Sequence, residues 1–170
     1  MNYFSLFNLP AAFTVDLVQL KQHYQTLQKM THPDRFANAS EQEKRMYLSK
    51  NAQINDAYQV LTSPVSRGEH LLSVRGFTLV GEQETVGDVN FLMQQMEWRE
   101  DLEAANDIAA LDALLASNAA NLAAQEEKIA GLLKADTEQD NASAADELRK
   151  MKFLVKLASE IQAKIDAIEE

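Results

Sequence analysis

His32, Pro33 and Asp34 place an imidazole and a carboxylate on either side of a proline. Two kinds of chemistry are open to such a pair. A histidine oriented by a carboxylate can act as a general base. Held on a stiff turn at the surface, the same groups instead offer a hydrogen-bond donor and a negative charge to another protein. The rest of the chain favours docking: it has no cysteine, no Gly-flanked serine elbow and no glycine-rich phosphate loop. The other two histidines, His23 and His70, fall on separate predicted elements with no metal-ligand spacing, so neither a zinc site nor a cofactor is expected. A small hydrolase using His32 and Asp34 remains the enzyme alternative, and the expectation is that the chain is not an enzyme.

Whichever chemistry applies, two helices must position the tripeptide. Pro33 disfavours helical geometry at His32 and fixes its own backbone, which predicts a rigid turn. Upstream, Thr14 is expected to cap a helix with Asp16 in its first turn, and Leu17, Leu20, Tyr24 and Leu27 give it one apolar face as far as about Met30. Lys21 and Lys29 on its solvent side, with Arg35 just beyond the turn, bring positive charge beside the loop. Downstream, Ser40 and Glu43 form a capping-box pattern, and Tyr47, Ile54, Ala57, Tyr58 and Leu61 supply the next buried stripe. A connection of roughly ten residues suits an antiparallel hairpin with the tripeptide at its tip. Ser63 and Pro64 then start a shorter helix carrying Val65, Leu71 and Leu72.

Gly76, Gly81 and Gly87 interrupt a polar stretch, and residues 76–87 are expected to link a unit over 1–75 to another over 88–170. Three helical patterns follow, roughly 88–105, 107–134 and 141–168, whose short connections predict an antiparallel three-helix bundle. Ile108, Leu111, Leu115, Leu122, Ile129 and Leu132 form the middle seam, and Leu148, Met151, Val155, Ala158 and Ile165 the last. In the first of these helices Phe91, Gln95, Trp98 and Leu102 share a stripe suited to the core, whereas Leu92, Met93 and Met96 point roughly 100–200° away. They are expected to be exposed and ringed by Glu97, Arg99 and Glu100, with Phe153 of the last helix exposed as well. An apolar group inside a charged rim has the makeup of a binding patch.

Charge separates the two halves. Residues 1–76 carry 8 basic and 6 acidic side chains, out of 16 and 26 in the whole chain, so the remainder is strongly acidic. Such a surface repels phosphate backbones and anionic lipid, and neither nucleic acid nor membrane is an expected partner. No apolar run approaches the length of a membrane span, and no basic, long-cored secretory signal opens the sequence, so a cytoplasmic protein is expected.

The run from Tyr24 through Leu27 and His32-Pro33-Asp34 to Phe36, followed by Ile54-Asn55-Asp56-Ala57-Tyr58-Gln59-Val60-Leu61 and Pro64-Val65-Ser66-Arg67, resembles the J-domain of DnaJ-type co-chaperones. Arg35-Phe36 after the tripeptide, Leu71-Leu72 and the segment from Phe91 to Glu100 are similar to the HscB branch. Gly68 and His70 depart from that branch, which more often shows Ala and Tyr there. The resemblance implies an all-α protein made of an N-terminal J-domain hairpin module and a C-terminal client-binding bundle. It implies that His32, Pro33 and Asp34, with Lys21, Lys29 and Arg35, engage a DnaK-type ATPase chaperone, in this branch HscA, and stimulate it. It implies further that Leu92, Met93, Met96 and Phe153 bind the iron-sulfur scaffold IscU, with Glu97, Arg99 and Glu100 at the rim. A J-domain protein serving another client is the alternative within the same class.

Overall fold

Most helix starts in this chain are set by side chains that accept the first free amides, while α4 starts on a proline with no such bond. Residues 1–79 and 88–170 are described by the computed structural model, and among them the regular structure is helical. The elements are α1 (Tyr3–Leu6), α2 (Leu17–Thr31), a 3₁₀ turn (Pro33–Phe36), α3 (Glu41–Thr62), α4 (Pro64–Val74), α5 (Val89–Ala104), α6 (Ile108–Leu132) and α7 (Glu138–Glu169). The chain separates into two units, Met1–Thr78 and Leu79–Glu170. Most of the expected linker, residues 80–87, lies outside the described residues.

In the first unit Asp16, not Thr14, caps α2, its carboxylate accepting from the amides of Val18 and Gln19 at 3.0 and 3.2 Å. An aspartate there satisfies two orphan donors and adds charge at the positive end of the helix dipole. The start moves accordingly, and Leu17 becomes the first helical residue, exposed instead of joining the apolar face. Leu20 from α2, Ile54, Ala57 and Leu61 from α3, and Leu71 and Leu72 from α4 meet in the core with Phe4, Phe7 and Phe13 from the N-terminal segment. Helix α4 runs unbroken through the buried Gly68. It ends in a Schellman arrangement: Gly76, at φ 80°, donates to Ser73 O, and Phe77 donates to Leu72 O. His70 accepts the Tyr3 amide on Nε2 at 3.0 Å and stacks on the Tyr3 ring, tying the chain's start to α4. Burial, and then the nearby terminal ammonium, hold its pKa below the ordinary imidazole value.

Arg67 is the other tie in this unit. Its buried guanidinium donates from Nε to Phe13 O at 2.6 Å and from Nη1 to Leu61 O at 2.9 Å, and lies 5.2 Å from the centre of the Phe13 ring. Removing a charged donor strands two carbonyls away from water. Arg67→Leu is therefore expected to destabilise the first unit by about 3 kcal/mol. Urea denaturation followed by far-UV circular dichroism checks this, and an unchanged midpoint would make the arginine a bystander.

In the second unit α5 and α7 run parallel, with α6 antiparallel to both. Asp88 meets Lys150, Phe91 meets Phe153, Arg99 meets Glu160 and Leu102 meets Lys164, so the contacts advance together along α5 and α7. The α6–α7 pair buries Leu111, Ile129, Leu148, Leu154, Leu157, Ile161 and Ile165. Val155, expected in the last seam, is exposed, and Leu154 occupies the buried register in its place. The α7 helix turns its buried face across 151, 154, 157, 161 and 165, a 3.6-residue progression that passes Val155 by. Two polar side chains stand in the α6 seam at heptad intervals from Leu111. Asn118 donates to Leu154 O at 3.0 Å and Gln125 to Glu147 O at 2.9 Å, so each locks the register of α6 against α7.

Candidate interaction sites

The tip of the α2–α3 hairpin is built by its own short-range bonds. His32 is extended (φ −65°, ψ 135°), as the following proline requires, and ends α2. It also caps the 3₁₀ turn: Nδ1 accepts the Asp34 amide at 3.2 Å, while Arg35 donates to His32 O at 3.0 Å. With Nδ1 taken up by that amide, Nε2 is the ring nitrogen left for a partner. The Asp34 carboxylate stands 3.6 Å from the imidazole, with side-chain exposures of 53% for His32 and 94% for Asp34. Pro33, Arg35, Lys21 and Lys29 are exposed too. The structure thus exposes the imidazole and the carboxylate together, with Lys29 and Arg35 within three residues of them in sequence and Lys21 roughly 15 Å further back along α2.

What fixes this tip was not apparent in the sequence. Phe36 stacks on Tyr47 with ring centres 3.7 Å apart, clamping the 3₁₀ turn to α3. A chain of side-chain bonds crosses the hairpin: Tyr24 OH donates to Asn55 Oδ1, Asn55 Nδ2 to Asn51 Oδ1, and Asn51 Nδ2 to Thr31 Oγ1. Thr31, buried beside His32, donates in turn to Leu27 O. The readable signal was the i, i+4 spacing of Asn51 and Asn55 beside the apolar stripe of α3, where solvated asparagines are costly in helix propensity and need a compensating bond.

On α5 the core stripe and the outward apolar group both form. Phe91 is buried and Trp98 half-buried, while Leu92, Met93 and Met96 are 43%, 63% and 64% exposed. Glu97 and Glu100 flank them in solvent. Two expected members differ from the sequence reading. Phe153 is only half-buried rather than fully exposed, because it stacks on Trp98 at 6.0 Å and meets Phe91 edge-on at 5.9 Å. Arg99 lies over the Phe153 ring at 5.2 Å and is ion-paired with Glu160, so it braces the patch as well as edging it. Aromatic clustering accounts for Phe153: its position on α7 faces α5, where two rings are available.

Polar clamps hold α5 in place at both ends. Asp88 caps it through the Phe91 amide at 3.1 Å and accepts from Lys150 Nζ at 2.8 Å. At the far end Lys164 Nζ donates to Leu102 O at 2.6 Å, meeting the helix where its dipole is negative. Lys150 also reaches Glu147 at 3.3 Å, and Lys128 approaches the same carboxylate at 3.2 Å. The Lys150 bond, with that of the Phe91 amide, holds the Asp88 carboxyl below its usual range. For Glu147 burial works upward but is outweighed by bonds from Gln125, Lys128 and Lys150, which leave it lowered. Depressed carboxyl pKa values contribute stability that is present above the unfolded value, roughly 4, and lost as pH falls through the folded one. Acid should therefore loosen this unit, and Glu147→Gln should flatten the loss. Trp98, the chain's single tryptophan, reports it in melts between about pH 3 and 7. An equally steep acid limb in the variant would place the titration elsewhere.

Comparison with known proteins bears on what these two surfaces serve. Residues 2–70 match the DnaJ domain family, and residues 87–162 match the HSCB C-terminal oligomerisation domain. The co-chaperone protein HscB homolog of Pseudoalteromonas atlantica is 49% identical, over 100% of this chain and 99% of its own length. The chain belongs to the HscB family of co-chaperones. Among solved structures, HscB from Vibrio cholerae superposes with a TM-score of 0.86 at 41% identity, covering 99% of both chains. Human HscB gives 0.90 at 30% identity, covering 96% of this chain and 82% of that one. The first unit is accordingly a J-domain and the second an HscB C-terminal domain. Among the described residues no helix is long and apolar enough to cross a membrane.

Proposed function

We propose that this HscB-family chain delivers an iron-sulfur scaffold protein of the IscU type to a DnaK-type chaperone of the HscA type in the cytoplasm, and stimulates that chaperone's ATP hydrolysis. One observation carries the reading: an exposed, internally braced His32-Pro33-Asp34 tip on a J-domain whose hairpin is complete. Asp34 supplies the carboxylate for a charge-assisted bond, His32 an outward donor, and Lys21, Lys29 and Arg35 steer an acidic surface toward them. On the other unit Leu92, Met93 and Met96 form the client face, with Phe153 beneath its edge and Glu97, Arg99 and Glu100 around it. Methionines adapt to a partner's contour without a fixed shape of their own. The chain performs no covalent step in this scheme. Carrying both surfaces on one polypeptide raises the client's effective concentration at the chaperone.

Steady-state ATP hydrolysis by a purified DnaK-type partner, with this chain and with or without the scaffold, tests the proposal. The rate should rise with the chain and rise further with the scaffold. A flat response to the chain removes the tip's role, and a response indifferent to the scaffold removes the client assignment.

A further inference from the structure

Leu92, Met96 and Arg99 follow one another on α5 at spacings of four and three, so the arginine continues the line of the exposed apolar group. A loose guanidinium at that place would put an unpaired charge across the face. Residues of α7 take it up instead. Arg99 Nη1 donates to Glu160 Oε2, and the guanidinium carbon lies 5.2 Å from the centre of the Phe153 ring. Phe153 is itself fixed, stacked on Trp98 at 6.0 Å and edge-on to Phe91 at 5.9 Å. Phe153 and Glu160 stand seven residues apart on α7, about two turns, and therefore share a face. Glu103, one turn beyond Arg99 on its own helix, would draw the guanidinium along α5, whereas the pair with Glu160 draws it across the ring. Of the two paired side chains 41% and 36% remain open to solvent, so a partner covering Arg99 and Phe153 takes both charges out of water. Charges that enter a complex already joined cost less than a lone one.

We propose that Glu160 is a positioning residue for the client face: it holds the Arg99 guanidinium over Phe153, so that the arginine offers the client its apolar stem and the flat side of its head with the charge already answered. This role presupposes the client face of Leu92, Met93 and Met96, and it adds a demand on the partner. Opposite Arg99 the client needs an apolar or flat surface, not a carboxylate, because Glu160 has supplied that group from within the chain.

Calorimetric titration of a purified IscU-type scaffold protein with the intact chain tests this role. Glu160→Gln keeps the shape of the side chain and should weaken binding by about tenfold, the equivalent of 1.4 kcal/mol. The melting temperature should hold, since a part-exposed ion pair adds little to stability. In an Arg99→Gln background the same substitution should have no further effect, as befits a residue that acts through another. The placement of the guanidinium is read without any partner: the Arg99 Nε–H resonance, displaced by the Phe153 ring current, should move toward that of a solvated arginine in Glu160→Gln. Unchanged affinity in Glu160→Gln, an equal loss in the Arg99→Gln background, or an unmoved resonance would overturn the proposal. Leu92→Ala with Met96→Ala, titrated alongside, separates the two failures. Normal binding by that double variant removes the client face and the role of Glu160 with it, whereas weak binding by it beside normal binding by Glu160→Gln removes the positioning role alone.

Discussion

Asp34→Asn is expected to abolish stimulation of a DnaK-type ATPase while leaving the J-domain folded. The carboxylate is almost wholly exposed and approaches His32 at 3.6 Å. Its amide, not its side chain, completes the turn through His32 Nδ1. Surface changes of this kind alter stability by about 0.5 kcal/mol or less, so circular dichroism and the melting temperature should hold. Binding is another matter. Truncating one partner of a charge-assisted bond that becomes buried in a complex costs about 2–5 kcal/mol, which at 1.4 kcal/mol per tenfold removes stimulation at ordinary concentrations. His32→Gln should do the same by replacing the imidazole, whose Nδ1 caps the turn, with a flexible amide that does not hold a donor at the ring's Nε2 position. Normal stimulation by either variant, measured as steady-state phosphate release, would reject the tip as the activating surface.

The client face should show the second large effect, and the structure separates its members. Leu92→Ala combined with Met96→Ala removes exposed apolar side chains and should weaken scaffold binding by about 2–3 kcal/mol in calorimetry if they are anchors. Their exposure predicts little change in melting temperature. Phe153→Ala should weaken binding too, but it also removes a ring packed on Trp98 and Phe91 and held under Arg99. A lowered melting temperature should accompany it, because a half-buried aromatic carries core packing. Unaltered affinity in the Leu92/Met96 pair would reject the face, whatever Phe153→Ala does.

Both surfaces were readable as sequence because local rules govern them. Pro33 forces the break at His32, Ser40 restarts the helix by accepting the Glu43 amide, and the spacing of Phe91, Trp98 and Leu102 leaves Leu92, Met93 and Met96 on the opposite side of α5. Periodicity failed where neighbours decide. Val155 and Phe153 lie two residues apart on α7, and helical spacing from Met151 selects the wrong one until the rings of α5 are in place. Thr14 looked like a cap because threonine caps helices, yet Asp16 is the better acceptor two residues on. The apolar seam read for α6 passed over Asn118 and Gln125, whose partners are carbonyls of α7. Spacing marks such positions, 118 and 125 in the α6 seam and 51 and 55 beside the α3 stripe, but it does not name the atom on the facing helix that each one bonds.

The bonds running from Tyr24 through Asn55 and Asn51 to Thr31 have a kinetic consequence. A loop that must order on docking forfeits conformational entropy at each encounter and slows capture. Here the ordering is completed during folding, so a partner that docks on this tip should meet it already ordered. Salt should then act mainly on arrival, by screening Lys21, Lys29 and Arg35, whereas loss of the Asp34 charge should act mainly on residence time.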